Sequence, residues 1–234
     1  MSEEDPADAL AVVIGSGGIG SALADRLDRS GDWQAVWRTG RSSDPAVDLQ
    51  DEATVSALAE RITASGMPLR LVIIASGFLH DDRHMPEKSW RQLDPDHMAK
   101  AFAVNAIGPA LVMKHLLPLL PREGRSVLAA LSARVGSIGD NRLGGWTSYR
   151  ASKAALNQVV RTQAIELRRR RPEAICVALH PGTVATGLSA PFSKDGLDVR
   201  EPDQAAAELL SVIGNLEASD SGSFRDHRGD VVPW

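Results

Sequence analysis

Short runs of apolar residues alternate with longer segments of helical period along the chain. Continuous apolar runs are typical of strands buried on both faces, and their alternation with helices is typical of βα units that build a parallel sheet. The pattern predicts an α/β fold, with one doubly wound domain over residues 1–234 and helices on both faces of the sheet. The predicted strands are Ala9–Ile14, Trp33–Arg38, a short strand ending at Asp48, Arg70–Ala75, Ser126–Ser132 and Ala174–His180.

Helical periodicity predicts four helices between these runs and a last one after them. The four begin near Gly18, Glu52, Asp96 and Thr147, and the last covers Pro202–Asn215. The third ends near Pro118 and the fourth at Arg168–Arg171, where basic residues complement the dipole of a helix C-terminus. Towards the end of the chain, Ser223–Phe224 and Val231–Val232 flank a turn, which predicts one more strand and a short C-terminal extension.

Charge and composition argue against several classes of partner. The chain has 26 basic and 30 acidic residues, a net charge of −4, so we expect no broad basic field for nucleic acid or an anionic membrane. The acidic N-terminus and the lack of an apolar stretch of spanning length predict neither export nor a membrane anchor. The single cysteine, Cys176, lies in an apolar run and predicts a buried core thiol and a reducing, cytoplasmic location.

A glycine-rich turn follows the first predicted strand and opens the first helix. Glycines let the backbone turn tightly and approach a pyrophosphate, whose charge then faces unpaired amides at the helix N-terminus. An isolated match can instead serve only to pack a helix on a strand, but the position after the first strand favours dinucleotide binding in a Rossmann-type domain. The residues of the turn are Gly15, Ser16, Gly17, Gly18, Ile19 and Gly20.

The segment after the second predicted strand indicates which dinucleotide is bound. A carboxylate there would bind the ribose hydroxyls of NAD, whereas a cation accommodates the 2′-phosphate of NADP. No carboxylate occurs before Asp44, and Arg38 and Arg41 flank the turn, so NADP(H) is favoured over NAD(H). Arg41 is the better phosphate partner because it lies in the loop, although either arginine could be merely solvated.

Asp48 and Leu49 follow as candidates for the adenine side. Asp48 could accept a hydrogen bond from the adenine amino group, or it could cap the helix that begins near Glu52, and the sequence leaves both possibilities open.

The only tyrosine, Tyr149, stands four residues before Lys153, about one helical turn away. A free phenol titrates near pH ~10, so acid–base work near neutrality requires its pKa to be lowered to about 7, and a nearby cation can supply much of that change. The alternative is a surface tyrosine stacked over a lysine stem.

The glycine-rich turn, Asn105, Tyr149 with Lys153, and Pro181-Gly182 together resemble the short-chain dehydrogenase/reductase family over nearly the whole chain. Within it, the sequence looks most like the branch of the C-factor and the sniffer-type carbonyl reductases. The segments that carry this likeness are Val104–Pro109, Gly136–Ile138, Gly144-Gly145 and Val231–Trp234.

The resemblance implies roles for individual residues. Tyr149 would be the general acid toward a carbonyl oxygen, and Lys153 would lower its pKa and hold the nicotinamide ribose. Asn105 would bind a relay water at a break in its helix, unless it is an ordinary asparagine turned to solvent. The remaining cofactor contacts would come from Ala75, Ser76 and Gly77 after one strand and from Pro181, Gly182, Thr183 and Thr186 after another, with Thr186 matching the family spacing better than Thr183.

The sequence departs from the family pattern at three places. The cofactor glycines Gly15 and Gly18 are one residue closer than usual, and an Asn-Asn-Ala-Gly segment is replaced by Ile74–Gly77. The position of the family's carbonyl-polarising serine is Ala133. Ser132 is the favoured substitute, although a one-residue step turns a strand side chain to the other face, and Ser137 or no serine at all are the alternatives.

The sequence therefore predicts an NADP(H)-dependent oxidoreductase that transfers hydride between nicotinamide and a small carbonyl or alcohol substrate. The substrate would enter under the loop Leu188–Phe192, and the resemblance implies a homo-oligomer paired through the helices of Asn105 and Tyr149. The rival hypothesis is a dinucleotide-binding regulatory or signalling protein with little or no turnover. The displaced serine favours this rival, and the intact Asn105, Tyr149 and Lys153 argue against it.

Overall fold

The computed structural model describes residues 6–192 and 199–234. Six strands form one sheet in which every pairing is parallel, in the order β2-β1-β3-β4-β5-β8, and β6 pairs with β7 in a separate small sheet. The strands are β1 Leu10–Ile14, β2 Ala35–Thr39, β3 Leu69–Ile74, β4 Ser126–Leu131, β5 Ala174–His180, β6 Thr183–Val184, β7 Val199–Arg200 and β8 Phe224–Asp226.

Helices connect the strands, and their ends follow from local chemistry. Asp51 caps the helix that begins at Glu52 by accepting a hydrogen bond from Ala53 N at 3.0 Å. Asp94 caps the helix that begins at Pro95 by accepting a hydrogen bond from His97 N at 2.7 Å. The helices are α1 Gly18–Ser30, α2 Glu52–Ser65, α3 Pro95–Phe102, α4 Gly108–Leu116, α5 Thr147–Arg168 and α6 Pro202–Gly214.

The sheet is covered on both faces, which confirms the doubly wound α/β fold. Successive side chains of a strand point to opposite faces. Leu10, Val12 and Ile14 of β1 belong to a core shared with α2, α4 and α5, whereas Ala11 and Val13 belong to a second core shared with α1 and α6. Because all six strands are parallel, their carboxyl ends lie at one edge of the sheet, where a ligand crevice is expected.

The stretch Pro95–Leu119 is one continuous helical segment, because a π-helical turn at Ala103–Ile107 joins α3 to α4. Its 25 residues and its hydropathy of 1.3 would suffice for a membrane span by length and composition alone. The expectation that no apolar stretch reaches spanning length was therefore wrong. Core helices of globular proteins pass the same test, and 44% of the most apolar part of this segment is buried.

The predicted short strand ending at Asp48 is not formed. Only an isolated bridge joins Gly40 to Ala46, because Ser43 Oγ accepts a hydrogen bond from Gly40 N at 2.6 Å and donates to Pro45 O at 2.8 Å. A serine that binds nearby backbone groups in this way competes with strand pairing. The expected C-terminal strand does form, as β8, and Val231 makes an antiparallel bridge to Arg225.

Candidate functional site

The glycine-rich turn packs against the loop after β3. Gly15 has φ +128°, and a Cβ there would lie 2.9 Å from Ser76 N. A Cβ on Gly20 would lie 1.9 Å from Gly15 O, whereas one on Gly17 would meet nothing within 4 Å. Gly17 is the N-cap of α1 and supplies no side-chain cap. The turn is thus tight on its protein side and open on the side where the first amides of α1 emerge.

A cavity of about 620 Å³ lies beside this turn at the carboxyl edge of the sheet. Several segments predicted to bind the cofactor line it. The predicted cofactor residues outside this lining are Gly20, Arg38, Asn105, Tyr149, Lys153, Pro181, Gly182 and Thr183. The lining includes Gly15, Ser16, Gly17, Gly18, Ile19, Arg41, Asp48, Leu49, Ala75, Ser76, Gly77 and Thr186.

The two arginines predicted near the ribose have different surroundings. Arg38 Nη1 lies 3.3 Å from Asp25 Oδ1 on α1, whereas Arg41 is exposed at the cavity and has no ion-pair partner within residues 6–192 and 199–234. The first carboxylate after β2, Asp44, pairs with Arg61 at 2.7 Å. Among the described residues, a cation without an ion-pair partner therefore faces the cavity, and the first carboxylate after β2 in the sequence is already paired with another arginine.

Asp48 lies in the cavity wall and does not cap α2. Its Oδ1 accepts a hydrogen bond from Gln50 N at 3.0 Å, and the N-cap of α2 is Asp51. The capping alternative was therefore wrong, and Asp48 is left as a candidate for the adenine side.

The two threonines after Pro181-Gly182 are separated by the fold. Thr183 belongs to β6, where it pairs with Val199, whereas Thr186 reaches the cavity. A Cβ on Gly18 would lie 2.9 Å from Thr186 Cγ2, so glycine at position 18 allows the loop after β6 to close onto the start of α1.

Asn105 lies in the π-helical turn and is fully buried. Its Nδ2 donates to Phe78 O at 2.7 Å and to Ser152 Oγ at 3.0 Å, and its Oδ1 accepts from Phe78 N at 2.7 Å. Ser152 Oγ in turn donates to Tyr149 O at 2.9 Å. The amide thus joins the loop after β3 to the helix α5, and the alternative of a solvent-facing asparagine is wrong.

Tyr149 and Lys153 are both buried on α5, and neither side chain lines the cavity. A Cβ on Gly77, in the cavity wall, would lie 3.6 Å from Lys153 Nζ and 3.7 Å from Asn105 Oδ1. Lys153 Nζ donates to Leu131 O at 2.9 Å and stands 5.9 Å from the centroid of the Tyr149 ring. The alternative of a surface tyrosine over a lysine stem is therefore wrong.

The electrostatics of this pair differ from the expectation. Burial raises the pKa of the Tyr149 phenol well above its ordinary value, and burial lowers the pKa of the Lys153 ammonium to about 8. The expected lowering of the tyrosine pKa was wrong for the protein alone, because loss of hydration outweighs the field of an ammonium that is directed at Leu131 O. At neutral pH, Tyr149 holds its proton and Lys153 is charged.

The two candidate serines are both engaged by protein groups. Ser132 Oγ is buried and donates to Asn157 Oδ1 at 2.6 Å. Ser137 Oγ donates to Pro233 O and accepts from Asp140 N at 3.1 Å. Ala133, which stands at the family position, is half-buried and begins the turn after β4.

Sequence reasoning missed several residues around the site. Lys100 and Asp81 both line the cavity and pair at 2.6 Å, and Lys100 Nζ stands 4.9 Å from the centroid of the Phe78 ring. Lys100 precedes Asn105 on the same helical segment, which was a usable signal. Glu87 was also missed. It is buried and its carboxylate accepts from Ser148 N and Ser148 Oγ at the start of α5.

The fold and the site define an α/β protein with a cavity of about 620 Å³ beside a glycine-rich turn, and with a buried tyrosine–lysine pair behind Gly77 of the cavity wall. A family model described as enoyl-(acyl carrier protein) reductase matches residues 9–213. The chain belongs to the short-chain dehydrogenase/reductase family, a family of oxidoreductases, which confirms the resemblance.

Similar proteins agree with this assignment. The 1-hydroxy-2-glutathionyl-2-methyl-3-butene dehydrogenase of Rhodococcus sp. (strain AD45) is 35% identical over 195 residues, which cover 83% of this chain and 81% of that protein. The C-signal of Myxococcus xanthus is 38% identical over 143 residues, which cover 61% and 81%. The NADPH-bound carbonyl reductase from chicken fatty liver superposes with a TM-score of 0.84 at 25% identity over 97% of this chain and 99% of the other.

The glycine-rich turn yields a prediction about stability. Gly20→Ala places a methyl group against the backbone oxygen of Gly15, so we expect it to lower the free energy of unfolding by about 1–3 kcal/mol. Gly17→Ala is the matched control, since a methyl group there points into open space, and we expect a change within about 0.5 kcal/mol. Thermal unfolding of both variants without cofactor makes the comparison, and equal midpoints would contradict the described packing of the turn.

Proposed function

We propose that the protein is an NADP(H)-dependent oxidoreductase that reduces a small carbonyl compound, with Tyr149 as the proton donor. The observation that carries the proposal is the burial of Lys153 and Asn105 directly behind Gly77 of the cavity wall, with the ring of the buried Tyr149 5.9 Å from Lys153 Nζ. A site that only gripped a dinucleotide would have no need for a buried phenol at this point.

The residues present fit a nicotinamide dinucleotide. The open side of the glycine turn offers the first amides of α1 to a pyrophosphate, and Thr186 closes the far wall. The cavity of about 620 Å³ has the volume of an ordinary ligand pocket. When bound, the reduced nicotinamide supplies the hydride.

Tyr149 is in the protonation state that a general acid needs. Because burial keeps the phenol protonated at neutral pH, it can donate its proton to a carbonyl oxygen as negative charge develops there. Lys153, charged below a pKa of about 8, then stabilises the phenolate that remains. In the reverse reaction, the oxidation of an alcohol, the ionised form of Tyr149 would accept the proton, and Lys153 would stabilise that form in the same way.

Asn105 and Ser132 complete the proposed proton chemistry. The second lone pair of Asn105 Oδ1 is the acceptor for the proposed relay water. Ser132 remains the proposed second donor to the carbonyl oxygen through a rotation of the Asn157 amide, whose Nδ2 has no hydrogen-bond partner among the described residues. The Ser132 hydroxyl now donates its hydrogen bond to Asn157 Oδ1. A rotated amide would instead donate from Nδ2 to Ser132 Oγ, which would leave the Ser132 hydroxyl free to donate to the substrate.

The preference for NADP(H) is supported by Arg41. An exposed guanidinium at the ribose end of the cavity can make charge-assisted bonds with a 2′-phosphate, and Asp44 is held away by Arg61. The carbonyl reductase from chicken fatty liver, which shares this fold, binds NADPH.

A regulatory or signalling role is the second candidate, and the likeness to the C-signal of Myxococcus xanthus favours it. The two functions differ in turnover. A binding protein would take up NADPH but would not oxidise it in the presence of a broad panel of carbonyl compounds, whereas the proposed reductase does both.

We also propose that the protein forms homo-oligomers in the cytoplasm. The helical segments that carry Asn105 and Tyr149 expose two isoleucines, Ile107 at 55% and Ile165 at 43%. Exposed apolar side chains on the two helices through which the family pairs are what a subunit interface requires.

Removing the Arg41 side chain tests the cofactor preference. We expect Arg41→Ala to weaken NADPH binding by about 1.5–3 kcal/mol and to leave NADH binding nearly unchanged. Arg38→Ala is the control, because Arg38 pairs with Asp25 outside the cavity, and it should bind both cofactors as the parent does. Calorimetric titration measures all three proteins. A parent that binds NADH as tightly as NADPH would refute the assignment.

Replacing Tyr149 tests the reaction itself. Tyr149→Phe keeps the ring and removes only the hydroxyl, so we expect turnover with NADPH to fall by about 10²-fold or more while NADPH affinity stays within about threefold. The rate is followed by the absorbance of the reduced nicotinamide over a panel of aldehydes and ketones. A variant that keeps activity within a few-fold of the parent would remove Tyr149 from the mechanism.

A further inference from the structure

Trp146 has an unusual backbone conformation immediately before α5. Its φ of 52° and ψ of 41° lie in the left-handed region, and it is the only non-glycine residue with a positive φ in the part of the chain that the structure describes. Gly144 and Gly145 before it have φ values of 63° and 66°, so three successive residues have positive φ. A tryptophan is disfavoured there, since Cβ crowds the following carbonyl oxygen.

Two neighbouring residues hold this left-handed turn in place. The Arg150 guanidinium donates to Gly145 O at 2.9 Å, to Gly144 O at 3.2 Å and to Val135 O at 3.2 Å. The Trp146 N–H donates to Glu87 O at 2.5 Å. The unfavourable conformation is therefore fixed from both sides, as is typical of a residue placed for a functional purpose.

The turn brings the Trp146 ring beside the reacting tyrosine. Its centroid lies 6.3 Å from that of Tyr149 and 5.0 Å from that of Phe192, in edge-to-face contacts. Phe192 continues to His80 at 5.4 Å, and His80 lines the cavity. A wall of rings thus connects the cavity to Tyr149. In the proposed reaction, the carbonyl oxygen of the substrate lies next to the hydroxyl of this residue.

This ring wall, made of Trp146, Phe192 and His80, is apolar on its inner part. The indole and phenyl rings of Trp146 and Phe192 are the members nearest to Tyr149, and His80 Nε2 already lies 3.3 Å from Gly187 O. Aromatic edges and faces attract flat π-systems beyond what their buried area supplies, in offset or edge-to-face arrangements.

We propose that Trp146 and Phe192 form the specificity wall of the substrate site and select carbonyl compounds whose reacting carbon carries a planar, unsaturated group, such as an aryl aldehyde or aryl ketone. The inference rests on the proposed reductase function and adds the substrate class. Trp146 binds the flat group, and Arg150 and Glu87 are positioning residues that hold the left-handed turn.

Two aldehydes of the same size test the inference. Benzaldehyde is planar and cyclohexanecarbaldehyde is saturated, so we expect the parent to prefer benzaldehyde in kcat/KM. Trp146→Ala should reduce that preference by about tenfold, mainly through a higher KM for benzaldehyde, and Trp146→Phe should retain most of it. Trp90→Ala is the control, because Trp90 is 80% exposed on a separate short helix and should leave the preference unchanged.

A second variant distinguishes the proposed role of Trp146 in substrate selection from a purely structural role. Trp146→Gly removes the ring and relieves the left-handed strain, so we expect the same loss of preference with an unfolding temperature that is unchanged or higher. A lower unfolding temperature with an unchanged preference would assign Trp146 to stability and overturn the inference.

Failure of the reductase function would be recognised separately, as no turnover of either aldehyde by the parent. NMR-detected binding of benzyl alcohol and cyclohexylmethanol then decides the inference without catalysis. Selective binding of benzyl alcohol that Trp146→Ala abolishes would support it, and equal binding of the two alcohols by the parent would refute it.

Discussion

The side-chain amide of Asn105 connects the parts of the site that the chain keeps far apart. It makes two hydrogen bonds with Phe78 in the loop after β3 and a third with Ser152 on α5, one residue before Lys153. A fully buried amide left without these partners would be costly, so the π-helical turn that aims Asn105 inward is maintained by its own hydrogen bonds. This one amide therefore fixes the position of the loop after β3, which contains Gly77, relative to the helix α5, which carries Tyr149.

Burial determines the chemistry of the pair that Asn105 helps to position. A phenol and an ammonium taken out of water both shift toward their neutral forms, which keeps Tyr149 protonated and brings the pKa of Lys153 to about 8. The lysine carries its charge near neutrality, and one of its three N–H groups donates a hydrogen bond to Leu131 O. The protein alone therefore presents a protonated phenol at this position, which is the form that the proposed general acid requires.

The sequence was sufficient for features that depend on local pattern. Apolar runs placed the five long strands of the sheet to within about two residues. The predicted glycine turn does line the cavity, and the roles of Tyr149 and Lys153 stay predictions. What failed depends on three-dimensional context. Ser43 turned a predicted strand into a loop, and burial reversed the expected shift of the tyrosine pKa. The left-handed conformation of Trp146 was not predicted either, because nothing in the sequence indicated that it follows Gly144-Gly145 with a positive φ.

The central claim is that Tyr149 is a buried, protonated phenol at neutral pH, and the sequence allows a direct measurement because Tyr149 is the only tyrosine in the chain. Labelling tyrosine with ¹³C at Cζ gives one resonance whose chemical shift reports ionisation of this phenol alone. We expect the resonance of the protein without cofactor to stay in the protonated form from pH 6 to beyond about pH 10, the titration point of a free phenol. A resonance that moves to the phenolate position with a midpoint near pH 7 would contradict the account.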